Sequence, residues 1–119
     1  RRGQGKFREN VANFEHRCRI TGVDDSRFLI ASHIKPWRSS SNQERLDGEN
    51  GLLLSPNVDY VFDRGFISFF DDGTLIVSPV ADSSTLQRLG IPVNEPYNTG
   101  TFTENQSHYL AFHRREGGR

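Results

Sequence analysis

Residues 50–65, NGLLLSPNVDYVFDRG, place two aspartates, Asp59 and Asp63, four positions apart in a short and otherwise largely apolar segment. On a helix, side chains at i and i+4 are neighbours on one face, so both carboxylates can reach a single cation. A hard divalent ion such as Mg²⁺ or Mn²⁺ prefers oxygen ligands, uses one or two protein carboxylates and keeps positions for water and phosphate. Upstream, His33 lies at the end of the β-rich run RFLIASHI, and Asn50 stands at the start of the run that contains GLLLS. An imidazole with an ordinary pKa of about 6.5 can take a proton from water near neutral pH, and a carboxamide can fix a ring or a loop by hydrogen bonding. A general base, an orienting amide and a metal site are the parts that phosphodiester hydrolysis needs.

The elements that must position these groups read as a mixed α+β order. GKFRENVANFEHR has Phe7, Val11 and Phe14 at helical spacing, which predicts an amphipathic helix over residues 5–15. CRITG reads as a short strand ending in a turn. RFLIASHI is a strand that stops at Lys35-Pro36, because proline cannot continue a ladder. RSSSNQERLDGEN is polar and turn-rich and reads as a surface loop. GLLLS is the second strand; Ser55 can cap a helix, Pro56 suits its first position and Gly65 can end it, giving about two turns over residues 56–64. FISFFDDGTLIVS predicts a hairpin turning at Asp71-Asp72-Gly73. SSTLQRLG has a capped start and a glycine stop, and TENQSHYLAFHRRE predicts a closing helix with Tyr109, Leu110 and Phe112 facing inward. His16, His108 and His113 have no spacing partner and read as structural, Cys18 as core and Trp37 as a packing residue.

The 119 residues, 13.6 kDa, suit one domain spanning 1–119. No apolar run approaches the roughly 20 residues of a membrane span, and the first residues lack the apolar stretch of a signal peptide. No membrane partner is expected. A single cysteine, Cys18, rules out an internal disulfide and any two-Cys or four-Cys zinc knuckle, so a reducing, cytoplasmic setting is the default. Formal net charge is zero but unevenly spread: residues 1–45 carry ten Lys/Arg against five Asp/Glu, and residues 46–119 carry five against ten. A basic half and an acidic half are compatible with gripping phosphates on one surface and concentrating carboxylates on another.

In the ordered set RRGQGKFREN, CRITG, ASHIKPW, NGLLLSPNVDYVFDRG and HYLAFHRRE, the chain resembles the HNH nuclease family, the ββα-metal or His-Me finger group, with its nearest likeness to the branch found in bacterial restriction-type endonucleases. The resemblance implies an α+β fold with a ββα-metal finger core, an N-terminal helix, an added β-hairpin and a C-terminal helix. It implies that His33 is the general base activating water, that Asn50 constrains the loop between the strands, and that Asp59 and Asp63 take helix positions that hold metal in the family. The family's final histidine is replaced by aspartate here, and the position before the base, often a further ligand, is Ser32. Carboxylates in place of imidazole shift preference from Zn²⁺ or Ni²⁺ toward one Mg²⁺ or Mn²⁺ ion, and no structural zinc is expected. Lys35, Arg38 and Arg64 are the expected contacts to double-stranded DNA. The function implied is metal-dependent DNA cleavage in the bacterial cytoplasm, as the C-terminal module of a larger restriction enzyme, modification-dependent or not, with a separate recognition domain and a homodimer as further expectations. The competing reading is a non-catalytic nucleic-acid-binding module on a degenerate HNH scaffold.

Overall fold

The computed structural model describes residues 4–117; Arg1, Arg2 and Gly3 of the RRGQGKFREN stretch and the last two residues lie outside that range. Strand β1 (Ile30–His33) pairs antiparallel with β2 (Gly51–Leu54), Ile30 opposite Leu54 and His33 opposite Gly51. That register brings His33 and Asn50 to the same end of the sheet. Helix α3 (Pro56–Asp63) follows β2 after one residue and packs on both strands, burying Val58, Val61 and Phe62. Because those three residues take up its inward face, Asp59 and Asp63 fall on its flank, half-buried.

Ser55 occupies the cap position of α3 and Pro56 its first turn, but the Ser55 hydroxyl makes no bond to the helix backbone; it donates to Asn57 Oδ1 at 2.8 Å and lies 3.6 Å from Cys18 Sγ. Gly65, at φ +77°, turns the chain out of α3 where it meets the C-terminal helix, and a Cβ there would sit 1.9 Å from the Gly117 carbonyl oxygen. The hairpin follows as β3 (Ile67–Phe69) and β4 (Leu75–Val77), turning through Asp71-Asp72-Gly73. The sheets are thus two separate antiparallel pairs. No helix among the described residues is long and apolar enough to cross a membrane.

Helix α1 (Gln4–Val11) buries Phe7 and Val11 against β1 and β2, but it ends four residues short of the expected helix, and Phe14 is left exposed. The reason lies at Glu15. Its buried carboxylate pairs with Arg19 at 2.8 Å and accepts from Gln106 Nε2 at 3.0 Å, which draws the chain away from the helix axis. CRITG is a turn and not a strand: Cys18 N–H donates to Val23 O and Gly22 N–H to Cys18 O, both at 2.9 Å, so its backbone groups are satisfied locally. The polar stretch after Pro36 is also more ordered than expected. It holds α2 (Asn42–Leu46), which starts in a capping box between Ser41 and Glu44.

Two helices close the molecule: α4 (Ser83–Arg88), capped by Asp82, and α5 (Glu104–Glu116), capped by Thr103. Helix α5 buries Gln106, Leu110 and His113, while Tyr109 and Phe112 flank that stripe half-buried. His113, 1% exposed, lies flat on Phe62 with ring centroids 4.0 Å apart. Its Nε2–H donates to the Phe62 carbonyl at 2.8 Å, which leaves Nδ1 to accept from Ser68 Oγ–H at 2.8 Å. Burial pushes the His113 imidazole below its ordinary pKa, outweighing the opposing hydrogen bond to Phe62 and the charge of Asp63. A group whose folded-state pKa is lowered contributes stability that is complete above the unfolded value, about 6.5, and is lost as pH falls from there through the folded value. Urea denaturation from pH 8 to pH 5 is expected to show that loss, and His113→Gln should flatten this part of the profile.

Candidate active site

Asn50 is fully buried between the two halves of the site. Its Oδ1 accepts from Lys35 N–H at 2.8 Å, and its Nδ2 donates to the Glu44 carbonyl at 3.0 Å and to Ser40 Oγ at 3.3 Å. Its own carbonyl accepts from Ile34 N–H at 3.0 Å. One side chain therefore fastens the start, middle and far side of the segment that joins β1 to β2.

The same segment orients His33. The His33 ring lies flat on Phe7, centroids 3.7 Å apart and planes within 5°, and its Nε2 is 2.9 Å from the Arg45 carbonyl. A carbonyl can only accept, so Nε2 carries the proton of the neutral ring and Nδ1 the basic lone pair. Stacking fixes the plane and the carbonyl fixes the rotation about it. Gly51 makes the stack possible: a Cβ there would lie 2.7 Å from Phe7 Cζ and 2.5 Å from Val11 Cγ2.

Residues on a strand alternate in direction, so Ser32, next to His33, faces α3. Its hydroxyl interacts with the Asp59 carboxylate. Burial raises the Asp59 carboxyl above its ordinary pKa; the Ser32 hydroxyl opposes that shift, the negative charge of Asp63 adds to it, and Arg64 opposes it. The structure thus brings Ser32, Asp59 and Asp63 together beside the strand that ends in His33. Two half-buried carboxylates one helical turn apart suit a hard cation, and with the serine hydroxyl they form an all-oxygen donor set. Among the described residues, no group of three or more His, Cys, Asp or Glu is arranged to hold a metal ion. The set fits a loosely held Mg²⁺-type ion that shares its coordination with water and phosphate, and does not fit a tetrahedral zinc site.

Residues 18–69, which contain β1, β2, α3 and the residues just described, match the family model for HNH endonuclease. This segment is similar to HNH endonucleases. A search of curated proteins found no match to the chain. The β1–β2–α3 unit is consistent with the ββα-metal fold of HNH endonucleases, which act on DNA and generally use a divalent metal ion.

The three cations expected to touch DNA are not placed alike. Lys35 Nζ is paired with Glu44 at 3.0 Å and lies 5.1 Å from the centre of the Phe112 ring, so it braces the connecting segment. Arg38 is exposed in a short 3-10 turn over Trp37–Ser39, and Arg64 is exposed with its guanidinium 3.6 Å from the Tyr60 ring centre. Trp37, read as a packing residue, is 47% exposed. Its ring packs instead against the Arg45 guanidinium, 3.6 Å away. The sequence reading missed Phe7 as the support of His33 and Arg45 as the source of its carbonyl. The Ser41-x-x-Glu44 capping signal marked a helix there, but no residue pattern marks a backbone carbonyl as a partner for an imidazole.

Replacing Asn50 by alanine leaves Lys35 N–H without its acceptor, removes one of the two bonds to the Glu44 carbonyl, which keeps that from Asp47 N–H, and opens a cavity in the interior; an unsatisfied buried group alone costs about 1–3 kcal/mol. Asn50→Ala should lower the stability read by urea denaturation by about 3 kcal/mol. Gly51→Ala, which overpacks the site at Phe7, should cost about 1–3 kcal/mol in the same measurement and weaken the near-ultraviolet circular dichroism of the displaced aromatic rings.

Proposed function

We propose that this chain is a metal-dependent DNA endonuclease domain in which His33 Nδ1 is the general base toward water. The observation that carries the reading is the orientation of His33 by Phe7 and the Arg45 carbonyl, on a strand whose preceding residue meets the acidic face of α3. Asn50 holds the segment that supplies that carbonyl and so sets the direction of the base. His33 takes the proton of a water molecule as that water attacks phosphorus. Arg64, beside Asp63, adds positive charge where the phosphate approaches. A divalent cation held by Asp59, Asp63 and the Ser32 hydroxyl would supply Lewis-acid stabilisation of the charge on the phosphate and leaving oxygen. The all-oxygen donor set supports Mg²⁺ or Mn²⁺ as that ion.

The finer role belongs to the same proposal: a cleavage module of a bacterial restriction-type enzyme, acting on double-stranded DNA with a separate recognition domain. Its support is the likeness of the quoted motifs to that branch. The alternative, a binding module that has lost cleavage, draws on Ser32 and on aspartate in place of the family's final histidine.

Nicking of supercoiled plasmid in Mg²⁺, Mn²⁺ or EDTA tests the reading. Wild type should nick with either ion and not with EDTA, and His33→Ala should be slower by about 10²–10⁴-fold, the usual contribution of a general base. Nicking by His33→Ala at the wild-type rate would falsify the assignment. DNA binding without nicking, together with no heat of Mn²⁺ binding, would favour the alternative.

A further inference from the structure

Two exposed aromatic rings carry a guanidinium on one face, and both adjoin the residues of the proposed catalytic site. Trp37, 47% exposed, packs against Arg45 at 3.6 Å; Tyr60, 53% exposed, packs against Arg64 at the same distance. The first pair is tied to the base directly, since Arg45 Nε donates to the Trp37 carbonyl at 2.9 Å and the Arg45 carbonyl holds His33. The second is interleaved with the acidic pair, Tyr60 following Asp59 and Arg64 following Asp63 on α3. Large apolar rings left in water at a site built for a polyanion need an occupant that offers both a flat face and negative charge. A nucleotide offers both, through base and phosphate, and bases stack on aromatic rings only once they have left the stack of the duplex.

We infer that Trp37 with Arg45 is a stacking pad for a nucleotide beside the scissile phosphate, and that the preferred DNA is a duplex with locally unpaired nucleotides, as in a bubble. The inference rests on the nuclease reading and names its substrate class. Arg45 is then a positioning residue: its guanidinium stiffens the Trp37 ring while its backbone orients His33. A nucleotide seated on the pad presses on the segment that aims the base.

Trp37 is the sole tryptophan, so its fluorescence reports on the pad without a label. The experiment titrates the protein in EDTA with three oligonucleotides of one sequence: single strand, duplex with a central bubble, and continuous duplex. The single strand and the bubble should quench Trp37 and bind about tenfold more tightly than the continuous duplex, a difference typical of one stacked base. By anisotropy, Trp37→Ala should erase that preference and Trp37→Phe should restore most of it. In Mg²⁺, a stacking role predicts that Trp37→Ala raises KM for the bubble duplex more than it lowers kcat.

Unchanged fluorescence in a protein that binds DNA, equal binding to all three oligonucleotides, or no binding to any of them overturns the pad. The nuclease reading is judged separately, by loss of nicking in His33→Ala. Quenching with His33-independent nicking sinks the base assignment and leaves the pad; His33-dependent nicking without quenching does the reverse.

Discussion

The carboxamide of Asn50 is the one interaction from which the geometry of the site descends. It sits in an interior where an unpaired polar group is costly, and its oxygen and both of its hydrogens are committed to the segment between β1 and β2. Those bonds hold α2 against the end of the hairpin, and α2 delivers the Arg45 carbonyl to His33. A purely apolar residue of the same size would fill the space but leave that carbonyl without a fixed address. The site is aimed by hydrogen bonds and only filled by the hydrophobic core.

The chain uses one device twice, with different results. His33 lies on Phe7 and His113 on Phe62, each ring almost parallel to its phenylalanine, and each donates Nε2–H to a backbone carbonyl. His113 is closed off by Ser68 on its other nitrogen and by burial, and serves as a polar bolt between α5, α3 and β3. His33 stands at the end of β1, half-buried, one residue after the serine that meets Asp59. The same stack and bond therefore give a structural residue in one place and a candidate base in the other, decided by depth and neighbours.

Much of the core was legible because it depends on local signals. Strand β2, the Pro56 start and Gly65 stop of α3, and the Asp-Gly hairpin each follow from the preferences of a few adjacent residues. Where tertiary contacts decide, local reading failed. Helix α1 stops early because Glu15 answers to Arg19 and Gln106, and CRITG turns because its backbone pairs with itself and not with a neighbouring strand. Trp37 read as a packing residue because its apolar character is visible in sequence and its exposure is not. The acidic pair was legible from i,i+4 spacing; the supports of His33 were not, since one is a remote ring and the other a main-chain oxygen.

The Glu15–Arg19–Gln106 cluster, with Arg19 also donating to the carbonyls of Thr99, Gly100 and Thr101, joins positions about ninety residues apart. Closing so large a loop adds only a logarithmic entropic penalty, but it cannot happen until both ends exist. On the ribosome, the β1–β2 pair and α3 can assemble from residues already made, while the clasp must wait for α5 to emerge. During synthesis, then, Glu15 and Arg19 remain in water as ordinary surface charges. Glu15 becomes an interior residue, and Arg19 a half-buried one, only once α5 has been made.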